Sequence, residues 1–378
     1  MLLSLVNLTN IDFEELFAMN DDSNPLMMLV WILPIILFVF YGQRIQLYVT
    51  SGEIKKAIKK LDAFREKSRN ELIDYIKKNT SFEIDSIKKI DRFLDYFTIM
   101  PVDMDPNGIV DKVQHTVRSR EDYTREHIKT LCPQLNDFEL TKVQTLLELA
   151  SSLQMIYKIV NHMFLTAKKQ NNYPLILPLQ MILPFVMEQA EAMKESIPAF
   201  KSGQPVGDGI GPMVVGKMML NCEKQILSFQ TVLAKTDFEG RQLFLLKAEG
   251  PGSTVGRPAD ALEKIVSENT INAIIMVDAA LKMEGEDSAS VAQGFGAAIG
   301  GIGTERFQIE AVATTKNIPI FSIVVKQSVK EALTLMTKEI ADQADYTRLQ
   351  VYEMIKENTT DGQSVVIIGV GNTVGVLQ

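Results

Sequence analysis

Short apolar runs alternate with helix-forming segments from about residue 203 to the end of the chain, and this alternation constrains the fold most strongly. Four of these runs are rich in aliphatic and β-branched residues and are apolar almost throughout: 242–248, 273–281, 318–325 and 364–370. Strands of this composition are typical of parallel sheets that helices cover on both faces. Residues 203–378 are therefore predicted to form an α/β domain with a mostly parallel sheet.

The preceding part of the chain has a helical pattern. Apolar residues recur at helical spacing among lysines and glutamates in 51–80. The proline-containing segment 173–196 is interpreted as a buried or interfacial helix. Residues 49–202 are predicted to form an all-helical domain without a catalytic constellation. In the turn-rich break within it, helix capping is the favoured role of Asp103 and Asp105, and metal binding is the alternative.

An apolar segment near the N-terminus is the candidate membrane anchor. Residues 25–41 carry no charge, and about 17 apolar residues are the lower limit for a spanning helix. Acidic residues precede this segment and basic residues follow it, which places the N-terminus outside the cell. The chain is therefore predicted to be a single-pass protein of the cell membrane, with an extracytoplasmic segment (1–23), a transmembrane helix (24–48) and cytoplasmic domains. A buried core helix is the alternative.

Composition bears on the possible partners and cofactors. The 378 residues carry a net charge of −8 without an arginine-rich run, so no nucleic-acid partner is expected. Cys132 and Cys222 are interpreted as buried thiols in a reducing compartment. The histidines, His115, His127 and His162, lack the spacing of metal ligands. Composition leaves the cofactor and the oligomeric state unknown.

Two aspartates of the α/β domain stand where ligands of such sheets bind. Asp278 ends an apolar strand, and Asp208 lies in the glycine-rich segment "PVGDGIGP" ahead of a helix. Ligands sit beyond the carboxyl ends of the strands. The helix N-terminus is expected to lower the pKa of Asp208, and burial to raise that of Asp278. Such a pair suits acid–base hydrolysis or a divalent metal ion; the alternative is that Asp208 caps its helix and Asp278 merely ends its strand.

Three motifs of this domain stand in a distinctive order. "GDGIGPMVVGKM" carries Asp208 ahead of a helix, "IIMVDAAL" ends a strand on Asp278, and "VVIIGVGNTVGVLQ" ends the chain on a strand and a Gly-x-Gly-Asn turn. With the last motif moved to the front, this order resembles that of the peptidases that mature nickel hydrogenases and of the related spore germination peptidase. The resemblance implies a phosphorylase/hydrolase-like domain that is circularly permuted, with the last strand inside the sheet and its end beside Asp208.

The same resemblance implies roles for individual residues. Asp208 and Asp278 would be catalytic, alone or around a divalent metal ion. The implied substrate-binding residues are Gly207, Gly209, Gly211, Gly250, Gly252, Gly369, Gly371 and Asn372. The hydrogenase-maturing group uses a histidine as a third nickel ligand, whereas no histidine follows His162 here. The whole chain also resembles an uncharacterised archaeal family of membrane-anchored proteins, which implies no activity.

Two functions of different classes follow from these observations. The first is a membrane-anchored cytoplasmic hydrolase, an endopeptidase of narrow specificity for a protein or peptide substrate. The second is a non-catalytic membrane-anchored binding or scaffold protein, whose glycine loops, among them "GGIG" at 300–303, bind a nucleotide, a phosphate group or a protein partner. A Gly-x-x-x-x-Gly-Lys-Ser/Thr motif does not occur, which excludes a standard phosphate loop.

Overall fold

The structure is a computed structural model that describes five segments of the chain: 25–80, 84–98, 108–170, 173–301 and 303–377. The chain divides into two compact units. The first unit joins Met1–Lys59 to Val160–Leu183, and the second joins Lys60–Ile159 to Pro184–Gln378. The predicted extracytoplasmic segment 1–23 and the turn with Asp103 and Asp105 lie outside the described residues.

The N-terminal half of the described chain is helical, as predicted. Its helices are α1 (Pro25–Asn79), α2 (Ile84–Leu94), α3 (Ile109–Leu131), α4 (Asp137–Lys169) and α5 (Tyr173–Ser202). Helix α1 is continuous for 55 residues, so the predicted boundary between 24–48 and 49–202 falls inside it. Among the described residues, no helix is both long enough and apolar enough to cross a membrane.

In the second unit the helices pack around a core of their own. Its buried apolar side chains come from all five helices and include Leu72, Phe93, Ile128, Leu146 and Phe200. Val206 and Val374 of the α/β domain join the same core, so that domain rests directly on the helices. Cys132 is buried here as predicted, and burial raises the pKa of its thiol. Cys222 is only partly buried, and both cysteines are free thiols.

The remaining described residues form a mixed α/β domain. Its strands are β1 (Lys224–Ser228), β2 (Thr231–Phe238), β3 (Arg241–Ala248), β4 (Ala273–Leu281), β5 (Val291–Phe295), β6 (Ile320–Gln327) and β7 (Ser364–Gly369). Its helices are α6 (Ile210–Met218), α7 (Pro258–Glu268), α8 (Thr304–Thr315), α9 (Val329–Leu333) and α10 (Lys338–Asn358). Apolar residues of α6 and α10 cover one face of the sheet, and those of α7 and α8 cover the other.

The sheet is mixed, which corrects the prediction of a mostly parallel one. Its order is β1-β2-β3-β7-β4-β6-β5. The central strands β3, β7, β4 and β6 are parallel, but β1, β2 and β3 form an antiparallel meander and β5 pairs antiparallel with β6. Glu239 and Gly240 join β2 to β3 with positive φ at both positions, the geometry of a tight hairpin. The sequence prediction missed β1, β2 and β5, which lie towards the two edges.

The last strand occupies the interior of the sheet. β7 lies between β3 and β4 and is parallel to both. This confirms the predicted position of the final strand. Because the carboxyl ends of parallel strands meet at one edge, the turn that follows β7 lies beside the end of β4, which carries Asp278.

Candidate functional site

A cavity of about 380 Å³ opens at the carboxyl ends of the central strands. Both predicted aspartates line it, together with Val370 and Gly371 after β7. Helix α3 contributes Val117 and Glu121, and the start of α8 closes another side. The α/β domain and the helical region of the second unit therefore build this cavity together.

Asp278 reaches the cavity from the interior of the sheet. In β4, Val277 is the last residue that pairs with β7, opposite Gly369, while Asp278 still pairs with Val324 of β6. Its side chain is only 6% exposed. The backbone N–H of Ala279 donates to Oδ1 of Asp278 at 2.7 Å. The carboxyl group is therefore held where the pairing with β7 stops, whereas β4 itself continues to Leu281, beyond the predicted end at Asp278.

Asp208 reaches the same cavity from a short 3₁₀ turn, Gly207–Gly209, directly before α6. Its Oδ2 accepts a hydrogen bond of 2.7 Å from the backbone N–H of Asn372. Asn372 belongs to the Gly-x-Gly-Asn turn after β7. The structure thus brings the acidic loop and the last motif of the chain together, as the sequence predicted, although 164 residues separate them.

Both carboxyl groups have a raised pKa. Burial raises the pKa of Asp208, and the hydrogen bond from Asn372 opposes this effect. The prediction that the helix N-terminus lowers the pKa of Asp208 is therefore wrong: loss of solvent outweighs the N–H that the carboxylate accepts. For Asp278 the prediction is confirmed, because burial, and then the negative charge of Asp208, raises its pKa well above the usual value.

The two aspartates therefore behave as a pair rather than as two independent groups. When Asp208 is ionised, its charge disfavours a second negative charge on Asp278. Asp278 accordingly holds its proton to higher pH than an exposed aspartate does. Such a pair offers one proton donor and one proton acceptor in the same cavity, which is the arrangement that acid–base catalysis uses.

A third carboxylate, on Glu121 of α3, was not predicted from the sequence. Its side chain is exposed to the cavity, yet the surrounding protein still raises its pKa by desolvation. Arg257 lies 3.8 Å from this carboxylate. Glu121 stands on a charged helix, about 90 residues from the nearest other cavity acid along the chain. No local pattern distinguishes it from its solvent-exposed neighbours.

Arg118 and Glu305 fix the start of α8 against the helical region. Arg118 contacts Asp260 at 2.8 Å and Glu305 at 3.2 Å. The other oxygen of Glu305 accepts the backbone N–H of Ala259, in the first turn of α7. Two helix starts are thereby held at the cavity edge by α3.

The predicted substrate-binding glycines lie close to the backbone of the protein itself. A methyl group on Gly211 would meet the carbonyl oxygens of Val277 and Val370, and one on Gly371 would meet that of Asp208. The same holds, with other backbone atoms, for Gly207, Gly209, Gly250 and Gly369, whereas a methyl group on Gly252 would meet the side chains of Thr141 and Phe138. Close packing therefore accounts for glycine at these positions. Of this set Gly371 lines the cavity, and substrate binding by the set stays a prediction.

The glycines of the "GGIG" segment behave differently. Gly300, Gly301 and Gly303 line the cavity, and a methyl group on any of them would meet open space. Gly301 and Gly303 have φ of +93° and +91°, which an L-residue rarely adopts. Gly303 also precedes the first residue of α8. Gly301 and Gly303 therefore need glycine for their backbone conformation, and the three glycines add no side chain to the cavity wall.

A chain of hydrogen bonds connects Asp208 to the helical region. The amide of Asn372 donates to Oγ of Ser253 at 3.1 Å, while its backbone N–H is bound to Asp208. Oγ of Ser253 in turn lies 2.7 Å from the hydroxyl of Thr145 on α4. Asn372 therefore holds Asp208 rather than facing the cavity with its amide.

The donor set for a metal ion consists of the two aspartates. Within the described segments, no group of three or more His, Cys, Asp or Glu residues is arranged to hold a metal ion. His127 packs against the rings of Phe93 and Tyr123 instead. A divalent ion at this site would bind Asp208 and Asp278 and take its other ligands from water or substrate.

Comparison with known proteins places the chain in a family. No curated protein and no solved structure matches it. Residues 28–203 match the model described as "Protein of unknown function (DUF1512) N-terminal domain". Residues 206–377 match "Domain of unknown function (DUF1512) C-terminal". The two matches cover nearly the whole chain in the expected order, and the protein therefore belongs to the DUF1512 family.

Proposed function

We propose that the protein is a membrane-anchored cytoplasmic hydrolase, an endopeptidase of narrow specificity that works through Asp208 and Asp278. One observation carries this proposal: both carboxyl groups line one cavity, and the charge of Asp208 helps to raise the pKa of Asp278. Paired carboxyls with shifted pKa values at the end of a sheet are typical of catalytic sites.

In the proposed reaction the two aspartates have opposite roles. Ionised Asp208 takes a proton from a water molecule, whose oxygen attacks the carbonyl carbon of the peptide bond. Protonated Asp278 donates its proton to the amide nitrogen as the C–N bond breaks. The pKa order favours this assignment, because Asp278 is the carboxyl whose ionisation is opposed by both burial and a neighbouring charge.

Two further parts of the proposal concern ancestry and location. The interior position of β7 and the bond between Asn372 and Asp208 support descent from a hydrogenase-maturation-type peptidase by circular permutation. Surface loops are where such permutations are tolerated. Residues 25–41 are uncharged, acidic residues precede them and basic residues follow them. This pattern supports a single-pass anchor with the N-terminus outside.

A non-catalytic binding protein is the second candidate. The open glycines Gly300, Gly301 and Gly303 and the start of α8 favour an anionic ligand such as a phosphate group. Asp208, Asp278 and Glu121 face the same cavity, and their charge opposes such a ligand. The hydrolase is therefore the better-supported function.

The experiment is a cleavage assay on the purified full chain. Incubation with a proteome-derived peptide library, followed by mass spectrometry of new N-termini, would define the cleaved sequence. Asp208→Asn and Asp278→Asn should each reduce cleavage by about 100-fold or more, the usual contribution of a general acid or base. The control is Asp342→Asn, an exposed aspartate of α10, which should cleave normally.

Three results would separate the candidates. Normal cleavage by both site variants would contradict the assigned roles. Loss of wild-type cleavage on addition of EDTA, restored by a divalent ion, would assign the aspartates to metal binding. Absence of cleavage by the wild type, with calorimetric binding of ATP or inorganic phosphate that Gly301→Asp abolishes, would favour the binding protein.

A further inference from the structure

The first unit, residues 25–59 and 160–183, exposes an apolar surface on all three of its helices. The side chains that are large, apolar and exposed there are Ile32, Leu33, Ile35, Ile36, Phe38, Tyr41, Tyr48, Val49, Leu165, Leu177, Met181 and Ile182. They extend beyond the uncharged run of α1 to the end of α4 and the beginning of α5. An apolar surface of this extent marks a site of interaction with another molecule or a membrane.

Helix α5 shows the feature most clearly. Ile176, Leu179 and Leu183 are buried, while Leu177, Pro178, Met181 and Ile182 form the exposed side. The exposed positions follow the i, i+1, i+4, i+5 spacing of one helix face, and none of them is polar. A surface helix in water normally has a polar outer face. This stretch of α5 is therefore apolar both towards the protein and away from it.

The end of α4 and the beginning of α5 are basic, although the full chain has a net charge of −8. Residues 160–183 contain two lysines, Lys168 and Lys169, and no acidic residue. Lys168 and Lys169 form the last turn of α4, immediately before α5. The apolar surface is thus accompanied by basic residues, a combination typical of segments that lie on anionic membranes.

We infer that α5 and the end of α4 bind the surface of an anionic lipid bilayer. Leu177, Met181 and Ile182 would enter the boundary between headgroups and acyl chains, and Lys168 and Lys169 would contact lipid phosphates. This contact is made by the hairpin of α4 and α5 and not by the proposed anchor in α1. It therefore goes beyond the proposed membrane anchor and holds whether or not α1 spans the bilayer.

A second copy of the chain is the other occupant that an apolar surface suggests. A symmetric dimer brings the same surface of two subunits together. Pairing through α5 would then also bring the lysines of both copies close to one another, and like charges repel. An anionic bilayer instead attracts them, which is why the charge distribution favours lipid.

Tryptophan fluorescence can test the contact, because Trp31 is the single tryptophan of the chain. The full chain with Trp31→Phe and Met181→Trp is reconstituted into vesicles of phosphatidylcholine and phosphatidylglycerol whose acyl chains are brominated. At an interfacial depth of about 5–10 Å the indole contacts the bromine atoms. Its emission should therefore be roughly twofold lower than in the same vesicles without bromine. Met181 is 74% exposed, so tryptophan fits there.

Matched variants make the result decisive. Leu349→Trp, in the Trp31→Phe background, places tryptophan at a 55% exposed site of α10 and should keep its emission. Equal quenching of the two tryptophans by brominated lipid would overturn the inference. A blue shift of Met181→Trp that depends on protein concentration and occurs without quenching would also overturn it, because it indicates self-association. Trp31 in the unmodified chain reports on the proposed anchor alone. Quenching at Met181→Trp without quenching at Trp31 would therefore reject the anchor and keep the inference.

Discussion

The helical region and the α/β domain of the second unit differ in where their charged side chains lie. The helices pair their charges near the surface, as in Arg69 with Asp91, Lys201 with Glu71 and Lys158 with Asp95. The α/β domain has surface pairs as well, such as Lys217 with Asp345, but it also buries Asp278 and Lys247 near the carboxyl ends of β4 and β3. Burial of unpaired charge opposes folding. Such groups are retained where chemistry needs them, and the comparison therefore directs attention to the strand ends.

Lys247 is the most extreme of these buried groups. Its side chain at the end of β3 is 0% exposed, and its ammonium group donates to the carbonyl of Ala248 at 3.0 Å. Burial, and then the charge of Lys224, lowers the pKa of Lys247 to about 8. Strand β3 neighbours β7, but Lys247 does not line the cavity of Asp208 and Asp278. The effect of burying Lys247 on the free energy of unfolding can therefore be measured separately from the effect of burying the aspartates.

The largest expected effect tests backbone packing in the α/β domain, with a glycine of the first unit as control. Gly211→Ala in α6 would force its methyl group against two carbonyl oxygens and should lower the free energy of unfolding by about 3 kcal/mol or more. Gly52→Ala in α1, where a methyl group meets nothing, should raise it by about 0.5–1 kcal/mol. Urea denaturation of both variants measures the difference. Effects of the same sign would break the comparison.

Lys247→Met should stabilise the protein at neutral pH. The folded pKa of about 8 lies below the ordinary 10.5, so protonation of the lysine opposes folding at pH 7. We expect a gain of about 2 kcal/mol, less than the pKa shift alone implies because the hydrogen bond to Ala248 is lost. The penalty in the wild type disappears as pH rises from about 8 to 10.5.

Denaturation at pH 7 and near pH 10.5 checks this prediction. The advantage of Lys247→Met should be largest at pH 7 and should vanish at the higher pH. Lys224→Met, in the edge strand β1, should give a smaller gain, because the charge of Lys224 only adds to the effect of burial on the pKa of Lys247. A gain that does not change with pH would show that packing, and not charge, limits stability at this position.

Asp278→Asn should also stabilise the fold, by about 1–2 kcal/mol near pH 8. The folded pKa of Asp278 is raised, so the wild type is most stable where this group is protonated in both states, below about 3.9. Its stability then falls as pH rises through the raised pKa. The stability of Asp278→Asn should not fall in this way, because asparagine does not ionise. Melting temperatures between pH 4 and pH 8 should therefore diverge, whereas those of Asp342→Asn should follow the wild type.

The smallest effect is expected for a surface pair of the helical region. Lys158→Ala removes an ion pair in which both side chains are 53% exposed. Exposed pairs contribute about 0–1 kcal/mol, so the melting temperature should change little. A large loss would mean that Lys158 also organises the contact between Asp95 and Gln154, and the contrast between the two regions would then weaken.

The order of secondary structure could be read from local patterns. Apolar runs predicted β3, β4, β6 and β7, and helical spacing predicted the helices before residue 203, because both periodicities depend on neighbouring residues. The same patterns placed Asp278 at the end of its strand, whereas β4 continues to Leu281 and only its pairing with β7 stops before Asp278. The hairpin of β1 and β2 was missed because Lys224–Ser228 is short and partly exposed, and because Thr231–Phe238 carries polar residues at 235–237 in place of a continuous apolar run.

Long-range contacts decided the strand order and the environment of the site. Composition and periodicity could not show that β7 lies between β3 and β4, and only the order of motifs suggested it. The pKa of Asp208 rises because distant segments close over it, an effect invisible in its glycine-rich neighbourhood. Glu121 enters the site because α3 packs on the strand ends. Backbone periodicity is a local property of the chain, whereas burial and electrostatic coupling arise only when segments far apart in sequence meet in space.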